Sequence, residues 1–393
     1  MTVTLAFDSF KGSLRSDEVA DAFAQGLCSV LPGLYIKKVY IADGGEGTAE
    51  ALIRNLNGEF VHAQVCDPLG RRITARYGIV EKDRTAVIEM AAASGLTLLS
   101  AKERNPLSTH TFGTGQLIAD ALGKGCQNFF IGIGGSATND GGTGMLRALG
   151  FRFLDQSGNE LSGGGEILER IVRIDSSAVM PSLKDARFIV ACDVDNPFFG
   201  PNGAAYVFAP QKGADRNAVE KLDKGLRTFA RVIRDYNGFD LTRLPGSGAA
   251  GGMGGAMAAL LGARLEKGID MVLRAIRFDK TIQGCDWVIT GEGQIDSQTL
   301  MGKAPAGILN VAARKGIPVI AIAGKVVPCT ALSQSGFASI LCINDRNQPL
   351  QTAMRHDVAW DNVRRAGIRV AQLLTKHEAA SMTVCPTDNP PTQ

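Results

Sequence analysis

Residues 3–30 read VTLAFDSFKGSLRSDEVADAFAQGLCSV, and their reading decides the fold. Val3–Phe7 is a short apolar run that predicts a buried strand. Ser16–Val30 places Val19, Phe23 and Leu27 at helical spacing, with Ser16 as a good N-cap. Between them lies the turn Asp8-Ser9-Phe10-Lys11-Gly12-Ser13. The pattern then repeats, with a strand over Tyr35–Ile41 and a helix over Glu46–Leu56. A β-α-β-α opening is the start of a doubly wound α/β domain.

Outward from this stretch the rhythm changes. Glu59–Cys66, Arg71–Val80 and Thr85–Met90 predict three strands joined by turns at Pro68/Gly70 and Lys82/Asp83. Strands at Phe129–Ile133, Phe151–Leu154 and Arg187–Cys192 follow, with helices at Gly142–Leu149 and Asp215–Tyr236. Near residue 280 the βα alternation returns: strands Asp286–Thr290, Pro318–Ala323 and Ser339–Ile343, helices Lys303–Lys315 and Asp361–Leu374. The expected architecture is α/β with two domains. A doubly wound, flavodoxin- or Rossmann-like domain is built from both chain ends, residues 1–66 and 280–376. A second α/β domain, 67–279, is inserted in it, and a cleft between two such domains is a usual ligand site. The polar, proline-rich residues 377–393 are expected to form a disordered tail.

Composition removes several function classes. The net charge of +3 comes from scattered Lys and Arg, which gives no reason to invoke nucleic acid or a membrane surface. No apolar run approaches ~18 residues, so no transmembrane helix is expected. Met1–Phe10 is too short and too acidic for an export signal, so a cytoplasmic protein is expected. The 8 cysteines have no paired spacing, and Cys192 and Cys342 lie in apolar runs, as for buried thiols in a reducing compartment. The four histidines lie far apart, against a His-built zinc site. The 47 glycines cluster between apolar segments, where their N–H groups can approach an anion closely.

Six segments carry candidate chemistry. In the turn 8–13, Ser9 and Lys11 follow the first strand at the edge where doubly wound sheets bind ligands, and Lys11 offers a charge to a carboxylate or phosphate. In 42–48, Asp43 and Glu46 flank a Gly turn and suit Mg²⁺ binding or proton acceptance. The run 132–142, GIGGSATNDGG, offers an anion cradle at Gly134, Gly135 and Ser136. It also contains GxGxxA, with Asp155 at the distance of a dinucleotide fold's ribose carboxylate, but the loop is too long for that fold. In 191–197, alternation puts Asp193 and Asp195 on one side of an extended chain, where two like charges call for a cation or a shared proton. The small-residue loop 245–255, with Gly251 and Gly252, runs into a helix and suits phosphate. In 290–305, Glu292 and Asp296 are candidate carboxylates and Lys303 a candidate nucleotide contact. No Walker A motif and no protein-kinase signature set occurs. Phosphoryl transfer needs N–H cradles, a lysine, Mg²⁺ on carboxylates and a base, and these segments can supply all of them.

Ten segments in one order resemble the type I glycerate kinases of bacteria: DSFKGS (8–13), IADGGEGT (41–48), VIEMAAASGL (87–96), NPLSTHTFGTG (105–115), GIGGSATNDGG (132–142), CDVDNP (192–197), PQKGA (210–214), GAAGGMG (248–254), VITGEGQIDSQT (288–299) and GKAP (302–305). The resemblance spans Val3 to Leu374. It implies transfer of the ATP γ-phosphate to D-glycerate with Mg²⁺, giving 2-phosphoglycerate and ADP in glyoxylate or aldarate breakdown. Related kinases form 3-phosphoglycerate, which is the alternative. Within this reading Ser9 and Lys11, with Glu46, bind substrate. Asp193 and Asp195 hold Mg²⁺, and one of Asp43, Asp193 and Asp195 takes the hydroxyl proton. Gly134, Gly135, Ser136, Lys212, Gly251, Gly252, Glu292, Asp296 and Lys303 serve ATP. Many members carry SFKES where this chain has Ser9-Phe10-Lys11-Gly12-Ser13. Two rival classes are an NAD-dependent hydroxyacid dehydrogenase and a non-catalytic solute-binding module. The sequence is silent on oligomeric state.

Overall fold

Thirteen strands form among the described residues of this computed structural model, which are 1–45, 47–345 and 347–382, with side chains through 376. They are β1 (Thr2–Phe7), β2 (Tyr35–Tyr40), β3 (Glu59–Cys66), β4 (Arg72–Val80), β5 (Thr85–Glu89), β6 (Asn128–Gly132), β7 (Arg152–Leu154), β8 (Arg173–Asp175), β9 (Arg187–Ala191), β10 (Arg264–Glu266), β11 (Trp287–Ile295), β12 (Val319–Val326) and β13 (Ser339–Cys342). The chain divides into two compact units, residues 1–41 with 277–393, and residues 42–276.

The first unit holds a five-stranded parallel sheet in the order β13-β12-β11-β1-β2. Counted along the chain within the unit this is 2-1-3-4-5, the flavodoxin-like doubly wound order, which reverses between β1 and β11. Val3, Leu5 and Phe7 are fully buried beneath Phe23 and Leu27 of the helix Ser16–Val30 and Val363 and Val370 of the helix His356–Met382. These two helices touch backbone to backbone. A Cβ on Gly26 would lie 2.0 Å from the Arg364 carbonyl oxygen, so no larger residue fits there.

Three expectations need correction in this unit. The cap of the first helix is Arg15, not Ser16, because the Glu18 carboxylate reaches back to the Arg15 N–H at 2.9 Å. β11 does not stop at Thr290 but runs through Gly291-Glu292-Gly293 to Ile295. Gly291 serves close strand packing rather than a turn, since a Cβ there would sit 2.3 Å from the Ile322 carbonyl oxygen. The last helix begins at His356 and continues to Met382, so residues 377–382 are helical, and 383–393 of the expected tail lie outside the described residues.

The second unit holds a six-stranded sheet, β10-β9-β6-β5-β4-β3. β10, β9, β6 and β5 are parallel, while β4 and β3 run antiparallel at the edge. Phe129 stacks on Phe188 with centroids 4.7 Å apart, and Phe153 meets Phe229 edge-on at 5.5 Å. Phe229 lies on the long helix Arg216–Asn237, which the Asp215 carboxylate caps at 2.8 Å from the Ala218 N–H. The hairpin β7–β8 is a separate small sheet.

The expected domain boundary at residue 66 lies instead at 41/42. β3 pairs along its whole length with β4, from Glu59↔Ile79 to Cys66↔Arg72. The preceding helix, Thr48–Leu56, packs on the same sheet, where a Cβ on Gly78 would meet Ile53 at 2.3 Å. An apolar helix face reads alike whichever sheet it covers. The expectation of buried thiols also fails in part: Cys192 is half-buried, but Cys342, on the edge strand β13, is exposed. No helix among the described residues is long and apolar enough to cross a membrane.

Candidate active site

At the switch point of the first unit, the loop after β1 and the far end of β11 lie side by side. Phe7 pairs with Gly291, and the Asp8 N–H donates to the Gly291 carbonyl at 3.1 Å. Asp8 is buried and accepts the Ser9 N–H at 2.7 Å, which turns the chain so that Ser9 and the exposed Lys11 follow it. Gly12 closes the turn with φ +77, a conformation L side chains rarely adopt, and the methyl end of Met354 sits 3.0 Å from where its Cβ would be. On the β11 side Glu292 is buried and accepts the Thr299 hydroxyl at 2.7 Å. Asp296 accepts the Gln294 amide at 2.7 Å and the Gln298 N–H at 2.9 Å. The Gln294 amide, then the Gln298 N–H and the charge of Lys303, hold the Asp296 carboxyl below the usual carboxylate range. Lys303 precedes the helix Ala304–Ala313 as its N-cap. Ser9, Lys11, Glu292, Asp296 and Lys303 thus share one edge of one sheet.

The remaining candidates belong to the second unit, at the carboxyl ends of its parallel strands. The loop carrying Asp43 lies here. Gly44 has φ +89, and its Cβ would meet Gly268 Cα at 2.6 Å and the Ala191 side chain at 2.7 Å. Gly268 begins the helix Gly268–Ala275, and its N–H donates to the Asp193 carboxylate at 2.9 Å. The Asp43 and Asp193 segments therefore converge on Gly268. Asp193 and Asp195 are both exposed beyond β9, and Asp195 has no hydrogen-bond partner among the described residues. Just before them, burial pushes the Cys192 thiol up. Glu46 lies outside the described residues.

The two glycine-rich loops of this unit form a single surface. The Gly141 N–H donates to the Gly251 carbonyl at 3.0 Å, and a Cβ on Gly251 would lie 2.2 Å from the Thr138 carbonyl oxygen. Ala250, Gly251 and Gly252 are successively left-handed, with φ 53, 69 and 92, so Ala250 stores backbone strain beside the first loop. The helix after the first loop begins only at Thr143, and Asp155 caps its own turn by accepting the Ser157 and Asn159 N–H groups. That arrangement gives the dinucleotide reading no ribose carboxylate.

Beneath the first loop is a buried polar layer. Asp140 is fully buried and accepts four donors, the Thr111 N–H and hydroxyl and the Gly142 and Gly144 N–H groups, at 2.8–3.1 Å. Lys212, expected to touch phosphate, is only 2% exposed and donates to the Ser136 hydroxyl oxygen and the Thr138 carbonyl, each at 2.7 Å. Burial pulls its pKa down to about 7 against the opposing pull of Asp140. Thr138 Oγ1 and both polar atoms of Asn139 are buried with no partner among the described residues. Two residues went unread in sequence. Glu89, at the end of β5, accepts the Ala49 N–H at 2.8 Å and so caps the helix behind Asp43, and Thr299 orients Glu292. Both sit inside segments that carried the resemblance, which was their only signal.

Residues 3–375 match the sequence profile of the glycerate kinase family. The chain belongs to that family. It is 46% identical to the glycerate 2-kinase of Escherichia coli K12 over 375 residues, 95% of this chain and 98% of that one. It is 46% identical to the glycerate kinase of Bacillus subtilis 168 over 357 residues, 91% of this chain and 94% of that one. Its fold is similar to the crystal structure of a protein assigned as glycerate kinase 2 from Salmonella typhimurium LT2. The TM-score is 0.88 at 43% identity, covering 96% of this chain and 99% of that one. Like those family members the chain is an α/β enzyme of the kinase class.

Proposed function

We propose that this chain is an ATP-dependent glycerate 2-kinase that converts D-glycerate and ATP to 2-phosphoglycerate and ADP. Family membership across residues 3–375 carries this reading, and the relative named glycerate 2-kinase supports the 2-position. Formation of 3-phosphoglycerate is the second reading.

The roles follow from the chemistry at each edge. Lys11, with the Ser9 hydroxyl, binds the substrate carboxylate by a charge-assisted hydrogen bond. Glu292, Asp296 and Lys303, beside them, serve the nucleotide. In the other unit the joined loops at Gly134, Gly135 and Ser136 and at Gly251 and Gly252 offer N–H groups to ATP phosphates. Mg²⁺ ordinarily takes one or two protein carboxylates together with phosphate oxygens and water. The exposed pair Asp193 and Asp195 fits that requirement, although the described residues contain no cluster of three or more acidic, His or Cys ligands. Asp193 and Asp195 would hold the ion, which neutralises charge on the transferring phosphoryl group. Asp43, half-buried on the adjoining segment, accepts the proton of the attacking hydroxyl. A carboxylate of ordinary basicity suffices when proton transfer is late in a loose transition state.

The test is ADP release with D-glycerate as the acceptor. Turnover that requires D-glycerate, with no NADH quenching on titration, supports the kinase. Quenching by NADH without ADP release overturns it in favour of the dehydrogenase, and glycerate binding without ADP release favours a solute-binding module.

A further inference from the structure

Lys212 lies under the loop 132–142 rather than on its surface. It ends the turn Pro210–Lys212, is 2% exposed, and its Nζ is 2.7 Å from the Ser136 hydroxyl oxygen. Ser136 is 9% exposed and its backbone is clamped on both sides. The Leu96 N–H donates to the Gly135 carbonyl and the Ala137 N–H to the Ser94 carbonyl, each at 2.9 Å, while the Thr109 hydroxyl holds the Ala137 carbonyl at 2.8 Å. These bonds hold the Ser136 backbone beside Lys212.

We propose that Lys212 is a positioning residue that acts through Ser136, aiming the serine hydroxyl proton at the anion held by the loop. The inference rests on the reading of 132–142 as an ATP phosphate cradle. An ammonium has no lone pair, so the Lys212–Ser136 hydrogen bond has only one direction. The serine oxygen accepts, and its own proton must point elsewhere. No described residue accepts it. A neutral Lys212 reverses this, because its lone pair draws the serine proton inward and the loop loses a donor. The charged group facing Lys212 is Asp140, already engaged by four donors. Arg104 is on the neighbouring segment, its carbonyl 2.2 Å from where a Gly213 Cβ would lie. Lys212 therefore titrates near neutrality, where a bound polyanion favours its protonated form.

The experiment is a double-mutant cycle on ATP affinity, measured by calorimetry at pH 6.5 with Mg²⁺ and without glycerate. Ser136→Ala and Lys212→Met should each weaken ATP binding about tenfold, the worth of one charge-assisted hydrogen bond. The double variant should be no weaker than Ser136→Ala alone. An additive loss of about a hundredfold overturns the action through Ser136 and leaves the cradle standing. Unchanged affinity in Ser136→Ala overturns the cradle and this inference together. Should Lys212→Met not fold, the ratio of ATP dissociation constants, Ser136→Ala over wild type, is followed from pH 6 to 9. ATP's own titration cancels in that ratio. It should fall from about ten toward one as Lys212 loses its proton. A ratio constant across the range overturns the proposal.

Discussion

The N–H of Gly141 donates to the carbonyl oxygen of Gly251 at 3.0 Å, joining two glycine-rich loops from distant parts of the sequence. The contact exists because Gly251 has no side chain: its φ is +69, and a Cβ would meet the Thr138 carbonyl oxygen at 2.2 Å. Gly251→Ala should therefore separate the loops. A denaturant melt should show a loss of about 2–4 kcal/mol, combining overpacking with the left-handed backbone, and ATP affinity should fall while the KM for D-glycerate changes little. An alanine variant with wild-type stability and ATP affinity contradicts the joined-loop account.

Asp43 and Asp195 are assigned different tasks, so their amides should fail differently. Asp43→Asn should lower kcat by about 10²–10⁴-fold, the usual worth of a general base, with an unchanged Mg²⁺ requirement. Asp195→Asn should raise the Mg²⁺ concentration needed for half-maximal rate. Initial rates across a Mg²⁺ series distinguish the two. Normal turnover in Asp195→Asn at low Mg²⁺ removes its role.

Lys11 is exposed on the loop after β1, whose shape is set by buried Asp8. Lys11→Met should raise the KM for D-glycerate by about ten- to a hundredfold, as for loss of one charge-assisted bond, and leave the KM for ATP nearly unchanged. Steady-state kinetics with each substrate varied in turn checks this.

Lys212 should leave a mark on stability as well. Its folded-state pKa is pulled by burial from 10.5 to about 7, so between these values the unfolded chain binds more protons than the folded one. By linkage, stability then rises with pH across that window, and the burial penalty is fully present below pH 7. Relative to Lys212→Met, the wild type should gain up to about 1.4 kcal/mol per pH unit from pH 7 to 9.5. Urea unfolding of both proteins at several pH values measures the difference, and parallel profiles contradict a buried, titrating Lys212.

The sequence made some of this legible and hid the rest for physical reasons. The strand, turn and helix at residues 3–30 were readable because a doubly wound unit alternates local patterns within one short stretch. The destination of the helix Thr48–Leu56 was not, because its apolar face suits either sheet and only the β3–β4 pairing settles it. The strand was expected to end at Thr290, before Gly291, yet a strand also needs glycine where a neighbouring carbonyl comes within reach. Lys212 was expected to reach the ATP phosphates. Its burial depends on Ser136 and Thr138, far away in the chain, which no local pattern reports. Cys342 lies in an apolar run, but on an edge strand one face of that run stays open to solvent.

The central claim is phosphorylation of glycerate on its secondary hydroxyl. The most direct measurement is the proton-coupled phosphorus NMR spectrum of the product from D-glycerate, ATP and Mg²⁺. The account predicts a doublet, from phosphate on a CH carbon. A triplet, from phosphate on CH₂, contradicts the 2-position, and the absence of any phosphorylated glycerate contradicts the substrate itself.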